Sequence, residues 1–148
     1  MKKQIVYVDM DNVACDFIGA RDAALLANPS IAFPHSQLDF FRSLKPMKGF
    51  IEAINLLATR YDVYFLTAPS TKNLLSYTEK ALWVRDHLGE YWVERLIISK
   101  FKNLNKGDFL IDDIAEGCGQ DKFEGTLIQF GTDPFFGWRE VLQYMIPK

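Results

Sequence analysis

Two aspartates, Asp9 and Asp11, follow a run of four apolar residues, Ile5–Val8, near the start of the chain. An unbroken apolar run predicts a strand that is covered on both faces, as in a parallel sheet. Side chains alternate along an extended segment, so Asp9 and Asp11 are expected to point the same way. Two neighbouring carboxylates at the end of a buried strand repel each other, and a cation between them would relieve that repulsion. The pair therefore predicts a metal site.

Polar residues also follow three later apolar runs, at 63–66, 96–98 and 109–111. Helical patterns separate these runs, and strands that alternate with helices predict an α/β fold with a mainly parallel sheet. In such a sheet ligands bind at the carboxyl ends of the strands, so residues far apart in the chain are expected to meet at one edge. The residues at or just after the ends of these runs are Thr67 and Ala68, Lys100 and Lys102, and Asp112 and Asp113.

The residue types at this edge suit phosphoryl transfer assisted by a divalent ion. Carboxylate oxygens suit a hard cation such as Mg²⁺, while a threonine hydroxyl and a lysine ammonium can hold a phosphate. A carboxylate can also attack phosphorus and form an aspartyl-phosphate. A second carboxylate can then protonate the leaving alcohol and later activate water. The sequence thus predicts a phosphoryl site with Mg²⁺ as its cofactor.

Four helices are expected to position these strands, at 17–26, 49–60, 72–88 and Trp138–Met145. The inward stripe of the helix at 72–88 is predicted to consist of Leu74, Tyr77, Ala81, Val84 and Leu88. Residues 14–45 are longer than a direct strand-to-helix connection needs. They are therefore predicted to form a small helical cap, inserted after the first strand into a core of residues 1–13 and 46–148.

The totals restrict the kind of partner. At 148 residues, of which 49% are hydrophobic, the chain can form one domain with a buried core. The formal net charge is −2 and no basic block is present, which favours a small-molecule partner over a nucleic-acid polymer. Cys15 and Cys118 form no zinc-binding pattern with His35 and His87. Neither a signal peptide nor a membrane-spanning stretch is visible, which predicts a cytoplasmic protein without a membrane partner.

The order of these motifs resembles the haloacid dehalogenase superfamily of phosphatases, and more narrowly the 5′(3′)-deoxyribonucleotidases. The stretch DMDNVACDF is similar to the DMDGV-x-ADF opening of that family, FLTAPS to its T-S-P loop, and KNLNKGDFLIDD to its K…LLIDD segment. The resemblance covers nearly the whole chain. It implies a Rossmann-like three-layer core and a phosphatase that acts on (deoxy)ribonucleoside monophosphates. Members of the family are often dimers, so a homodimer is compatible with the resemblance, although no interface signature is visible.

The resemblance also implies roles for individual residues. Asp9 would be the nucleophile, and Asp11 would be the general acid and base that binds the metal through its backbone carbonyl. The family lysine falls on Lys102 rather than on Lys100. By the same resemblance, the metal would be held by Asp9, Asp11 and Asp112, with Asp113 as an orienting or water-mediated partner, and the phosphate would be held by Thr67, Ala68 and Lys102. The alternative for Asp113 is a solvated turn residue.

Substrate preference would depend on aromatic residues of the cap. Phe17, Phe40 and Phe41 are similar to the pocket aromatic residues of the family, and they would contact the base of a nucleotide; the alternative is that they only hold the cap on the core. Two residues depart from the family pattern. Asn12 stands in place of the usual glycine after the second aspartate, and Ala68 stands in place of the usual serine, which removes one side-chain contact to phosphate but leaves the backbone amide.

Three other hypotheses fit parts of this pattern. The same chemistry could act on a sugar phosphate or another small phosphomonoester. A signalling receiver domain also gathers acids, a threonine and a lysine around Mg²⁺, but its phosphorylated aspartate stands alone on a middle strand, whereas a second acidic pair follows the lysine here. The last alternative is an inactive phosphate-binding module, and the presence of every core catalytic group argues against it.

Overall fold

Five strands form one sheet in the computed structural model, which describes residues 1–148. The strands are β1 (Ile5–Val8), β2 (Asp62–Thr67), β3 (Leu96–Ile98), β4 (Phe109–Asp112) and β5 (Thr126–Gln129). Their spatial order is β3-β2-β1-β4-β5, and every pair is parallel. The predicted α/β fold with a parallel sheet is thus confirmed, and β1 lies in the middle of the sheet.

The apolar runs form strands because both of their faces are covered. Val6 and Val8 belong to the main hydrophobic cluster on one face of the sheet, together with Phe65 from β2. Tyr7 points to the opposite face and packs in a smaller cluster with Leu110 from β4. Burial on both faces explains why these strands show continuous rather than alternating apolar residues.

The chain forms five helices: α1 (Phe17–Ala27), α2 (Phe50–Arg60), α3 (Ser76–Leu88), α4 (Glu90–Val93) and α5 (Trp138–Met145). Short 3₁₀ turns occur at Pro34–Ser36, Lys102–Leu104 and Gln120–Lys122. The longest helix has 13 residues, and none is long and apolar enough to cross a membrane. The fourth helix was not predicted from the sequence.

The predicted start of α3 and the N-terminal half of its predicted stripe are wrong, whereas Val84 is buried and Leu88 packs against the core as predicted. The helix begins at Ser76 rather than near residue 72, and Leu74 and Tyr77 are 75% and 47% exposed. Besides Val84, the buried residues of α3 are Ser76, Glu79, Lys80 and Trp83, and the five recur at helical spacing. The stripe was misassigned because two of its inward positions carry charged side chains.

The segment 14–45 leaves and re-enters the core at one point. The amide of Asp16 donates to the carbonyl of Lys45 at 2.8 Å, so the two ends of the segment pair with each other. Two indoles hold these ends in place: Nε1 of Trp138 donates to the carbonyl of Val13 at 2.8 Å, and Nε1 of Trp83 donates to that of Leu44 at 2.7 Å. The proposed cap is therefore anchored on α3 and α5, while its separate behaviour as a domain stays a prediction.

The aromatic stretch of this segment is fixed on α3 by a buried carboxylate. Glu79 is 3% exposed, and its oxygens accept the backbone N–H groups of Asp39 and Phe41, each at 3.0 Å. Phe40 and Phe41 themselves belong to the main hydrophobic cluster. The neighbouring residue on α3, Lys80, turns its charge toward the carboxyl end of the sheet instead.

Candidate active site

The carboxyl ends of β1, β2 and β4 meet at a cavity of about 200 Å³. It lies where the chain order reverses on either side of β1, which is the usual ligand position in open parallel sheets. The residues that line it are Asp9, Asp11, Asn12, Phe17, Thr67, Ala68, Lys102, Asp112, Asp113, Ile114, Cys118 and Gln120. A larger cleft of about 660 Å³ beside α5 is lined by none of the residues singled out in the sequence.

The turn after β1 is shaped by Asn12. The amide of Asp9 still donates to the carbonyl of Ile111 at 2.9 Å, which keeps Asp9 at the edge of the sheet. Asn12 then has a φ of +63°, a left-handed conformation that glycine adopts easily and that asparagine tolerates better than most residues. Its side chain accepts from the amide of Ile18 at 3.0 Å and donates to Asp113 at 3.5 Å. Asn12 thus adopts a conformation that the expected glycine would also adopt, and its side chain adds contacts on both sides.

Three carboxylates converge in the cavity. Oxygen atoms of Asp9, Asp112 and Asp113 all lie within 4.8 Å of one another. Burial, followed by repulsion from Asp9, raises the pKa of Asp112, and burial with repulsion from Asp9 and Asp112 raises the pKa of Asp113 to about 7. An excess of negative charge on oxygen donors fits a hard divalent cation such as Mg²⁺. These residues therefore have the chemistry that a magnesium site requires.

Lys102 offsets part of this negative charge. Its ammonium lies 3.0 Å from Oδ1 of Asp9 and 2.5 Å from Oδ2 of Asp112, and the residue is only 2% exposed. Burial alone would lower the pKa of Lys102, but attraction to Asp9 and Asp112 outweighs it and raises that pKa. The side chain is thus a permanent buried cation at the cavity, whereas Lys100 is exposed.

Sequence reasoning missed Ile114 and Cys118, which line the cavity, and two polar residues whose side chains bond to the site. Lys80, from α3, lies 3.1 Å from Oδ2 of Asp11 and donates to Oγ1 of Thr67 at 2.9 Å. Gln120, at the start of the 3₁₀ turn Gln120–Lys122, donates to Oδ2 of Asp112 at 3.4 Å. Neither residue has a local signal in the sequence, because the partners that bury Lys80 and Gln120 come from other elements of the fold.

The three predicted pocket phenylalanines occupy different depths. Phe17 lines the cavity, while Phe40 and Phe41 do not and are only 6% and 3% exposed. Both rings pack against Phe17, with ring centroids 5.5 Å and 6.1 Å away. Phe40 and Phe41 therefore support Phe17 in this conformation, and their contact with a nucleotide base stays a prediction.

Asp113 is expected to make the stability of the metal-free protein depend on pH. An aspartate with a pKa near 3.9 when unfolded and about 7 when folded stabilises the fold below about pH 4, and this stability is lost as the pH rises through about 7. Mg²⁺ binds the ionised carboxylate, so the rise in melting temperature on adding MgCl₂ should be larger at about pH 8 than at about pH 6. Thermal unfolding at constant ionic strength measures this difference.

Two variants sharpen that measurement. Asp113→Asn removes the carboxyl whose pKa is about 7, so it should weaken the pH dependence of the magnesium effect between these two pH values. Asp121→Asn removes an exposed aspartate outside the cavity and should leave it unchanged. An equal magnesium effect at both pH values in the unmodified protein would contradict the assignment of Asp113.

Residues 30–136 match the model of a protein family described as "5′ nucleotidase, deoxy (Pyrimidine), cytosolic type C protein". A protein of Vibrio phage KVP40, provisionally named a 5′(3′)-deoxyribonucleotidase, is 39% identical over 145 residues, which make up 97% of this chain and 85% of that protein. The human cytosolic-type 5′(3′)-deoxyribonucleotidase is 36% identical over 85 residues, 56% of this chain and 42% of the human protein.

One solved structure of similar fold is that of YfnB from Bacillus subtilis, provisionally described as a HAD-hydrolase and bound to magnesium. It has a TM-score of 0.67 and 10% sequence identity, and the match covers 99% of this chain and 100% of that one. Similarity at so low an identity shows a shared fold alone.

Proposed function

Because the chain belongs to the 5′ nucleotidase, deoxy (pyrimidine), cytosolic type C family and is a phosphoric monoester hydrolase, we propose that it hydrolyses (deoxy)ribonucleoside monophosphates to nucleoside and phosphate. The observation that carries this proposal is the convergence of Asp9, Thr67 and Lys102 on one cavity beside the second acidic pair. The names of the phage and human relatives point to the same substrate class.

In the proposed reaction, Asp9 is the nucleophile and Asp11 transfers the protons. A carboxylate oxygen of Asp9 attacks phosphorus, the bond from phosphorus to the alcohol oxygen breaks, and the alcohol takes a proton from Asp11. Asp11 then takes a proton from a water molecule, whose oxygen attacks the phosphorus of the aspartyl-phosphate. Inorganic phosphate leaves, and the carboxylate of Asp9 is restored.

Lys102, Thr67 and Ala68 are proposed to hold the phosphate, and the acidic residues to hold the metal. Lys102 supplies a positive charge next to Asp9, and Thr67 supplies a hydroxyl at the end of β2. Ala68 offers only its backbone amide. Asp9, Asp112 and Asp113, with the backbone carbonyl of Asp11, would hold Mg²⁺. When bound there, the ion screens the negative charge of the phosphate from the attacking carboxylate.

The size of the cavity supports a second candidate substrate. Its volume of about 200 Å³ is below the roughly 300–1,000 Å³ usual for ligand pockets. Phe40 and Phe41 are buried behind Phe17 rather than open for stacking on a base. A sugar phosphate or another small phosphomonoester would need no such stacking surface, so it is the alternative that the assay must separate.

A panel of phosphomonoesters tests the proposal. The protein is expected to release phosphate from dUMP and dTMP with higher kcat/KM than from sugar phosphates, and to do so only with Mg²⁺, since EDTA would leave the carboxylates without their cation. Free phosphate measured with time, with and without MgCl₂, gives both comparisons. Higher kcat/KM for sugar phosphates would move the assignment to the alternative, and equal turnover in EDTA would contradict the proposed metal dependence.

A further inference from the structure

Lys80 is a buried cation with an unusual set of neighbours. It is 1% exposed, and a charged lysine is almost never buried to that extent unless its charge is paired. Both of its polar partners are cavity residues from other elements: Asp11, after β1, and Thr67, at the end of β2. On another side it faces the ring of Phe41, with Nζ 4.9 Å from the ring centroid.

Lys80 does not itself line the cavity, whereas Asp11 and Thr67 both do. Its ammonium therefore lies behind the wall that the substrate would contact. Its hydrogen bonds can therefore affect the reaction only through its two polar partners, Asp11 and Thr67. We propose that Lys80 is a positioning residue that orients the Asp11 carboxylate and the Thr67 hydroxyl for phosphoryl transfer, an inference that rests on the proposed function.

The effect on Thr67 follows from the hydrogen-bonding capacity of the two groups. An ammonium has donors only, while a hydroxyl has one donor and two acceptor positions. Because Nζ of Lys80 donates to Oγ1 of Thr67 at 2.9 Å, the hydroxyl proton of Thr67 must point elsewhere. Thr67 is thereby kept as a donor, which is what a phosphate oxygen in the cavity requires.

The effect on Asp11 is to fix one of its two oxygens. Oδ2 is held by Lys80 at 3.1 Å, while Oδ1 accepts only the weak contact from Sγ of Cys15 at 3.8 Å. The carboxylate of Asp11 is 29% exposed, so its other side remains accessible. Lys80 thus limits the rotation of the group that exchanges protons with the alcohol and the water.

Replacing Lys80 with methionine tests this role through the leaving group. An alkyl ester such as dUMP needs a proton from Asp11 when its alcohol departs, whereas the leaving group of p-nitrophenyl phosphate does not. Lys80→Met is expected to lower kcat/KM for dUMP about 100-fold and for p-nitrophenyl phosphate only about 10-fold, the smaller loss reflecting Thr67 alone. The ratio of the two values isolates the part that acts through Asp11, which a general loss of structure would not change.

Several controls accompany this variant. Lys72→Met removes an exposed lysine whose ammonium lies over the ring of Phe33, outside the cavity, and it should leave the ratio unchanged. Adding Lys80→Met to Asp11→Asn should not lower the ratio further, because Lys80 acts through Asp11. If Lys80→Met does not fold, Lys80→Gln, which keeps a donor but lacks the charge, is assayed for the same shift in ratio.

The outcomes separate this inference from the proposed function. A wild type that hydrolyses neither ester in Mg²⁺ overturns the proposed function and this inference with it. An active wild type whose kcat/KM falls equally for both esters on replacing Lys80 overturns the positioning role alone. A selective loss on dUMP supports both.

Discussion

Asp9→Asn is expected to abolish turnover, with kcat falling roughly 10⁴-fold or more. An amide oxygen is a far weaker nucleophile than a carboxylate, and no neighbouring side chain stands in the same position at the end of β1. Lys102 keeps Asp112 as a buried partner in this variant, so the fold should persist. Phosphate release from the best substrate of the panel, together with thermal unfolding of the variant, checks both expectations.

The nucleophilic role of Asp9 can also be tested by trapping the phosphorylated enzyme. The wild type quenched in acid during turnover of a ³²P-labelled ester should carry label that hydroxylamine releases, as an acyl phosphate does, and Asp9→Asn should carry none. Asp121→Asn, at an exposed position, should retain full activity and labelling. If Asp9→Asn retained more than about a tenth of the activity, Asp9 would not be the nucleophile.

The placement of Asp9, Thr67 and Asp112 could be predicted because it follows from the sheet alone. Parallel strands in register end at the same level: Val8 pairs with Phe65 in β2 and with Ile111 in β4. Polar residues just beyond such strands must meet at one edge, whatever the helices do. That part of the site depends on local apolar runs and on one rule of sheet geometry.

The place of Lys80 could not be predicted in the same way. A pattern analysis that places apolar residues inside assigns charged positions to the solvent side, and so it shifted the stripe of α3. Glu79 and Lys80 are buried because their partners come from residues 39–41 and from the ends of β1 and β2. Such partners exist only once the chain has folded, so no local pattern reveals them.

The burial of Phe40 and Phe41 could not be predicted for the same reason. The sequence left open whether Phe40 and Phe41 contact a substrate base or only hold the cap on the core, because their exposure depends on how the segment 14–45 closes on α3. Phe17, by contrast, begins α1 close to the turn after β1, and its place at the cavity follows from its distance along the chain.

Lys102→Met is the second change with a large expected effect, on stability as well as on activity. Removing one partner from a buried ion pair typically costs about 3–5 kcal/mol, because the other charge stays buried without compensation. Here two carboxylates, Asp9 and Asp112, would lose their shared cation at once. The metal-free variant should therefore lose about that much free energy of unfolding in urea, and MgCl₂ should restore part of it because a divalent cation can take over the compensation.

MgCl₂ should not restore the activity of Lys102→Met, even where it restores part of the stability. The proposed role of Lys102 is to stabilise charge on the transferred phosphoryl group, and loss of one such donor lowers kcat by roughly 10²–10³-fold. Lys100→Met is the matched control, since Lys100 stands two positions away but is exposed, and it should change neither property. If Lys100→Met lost more activity than Lys102→Met, the phosphate-binding lysine would have been assigned to the wrong residue. If MgCl₂ returned Lys102→Met to full turnover, the lysine would serve only to neutralise the carboxylates.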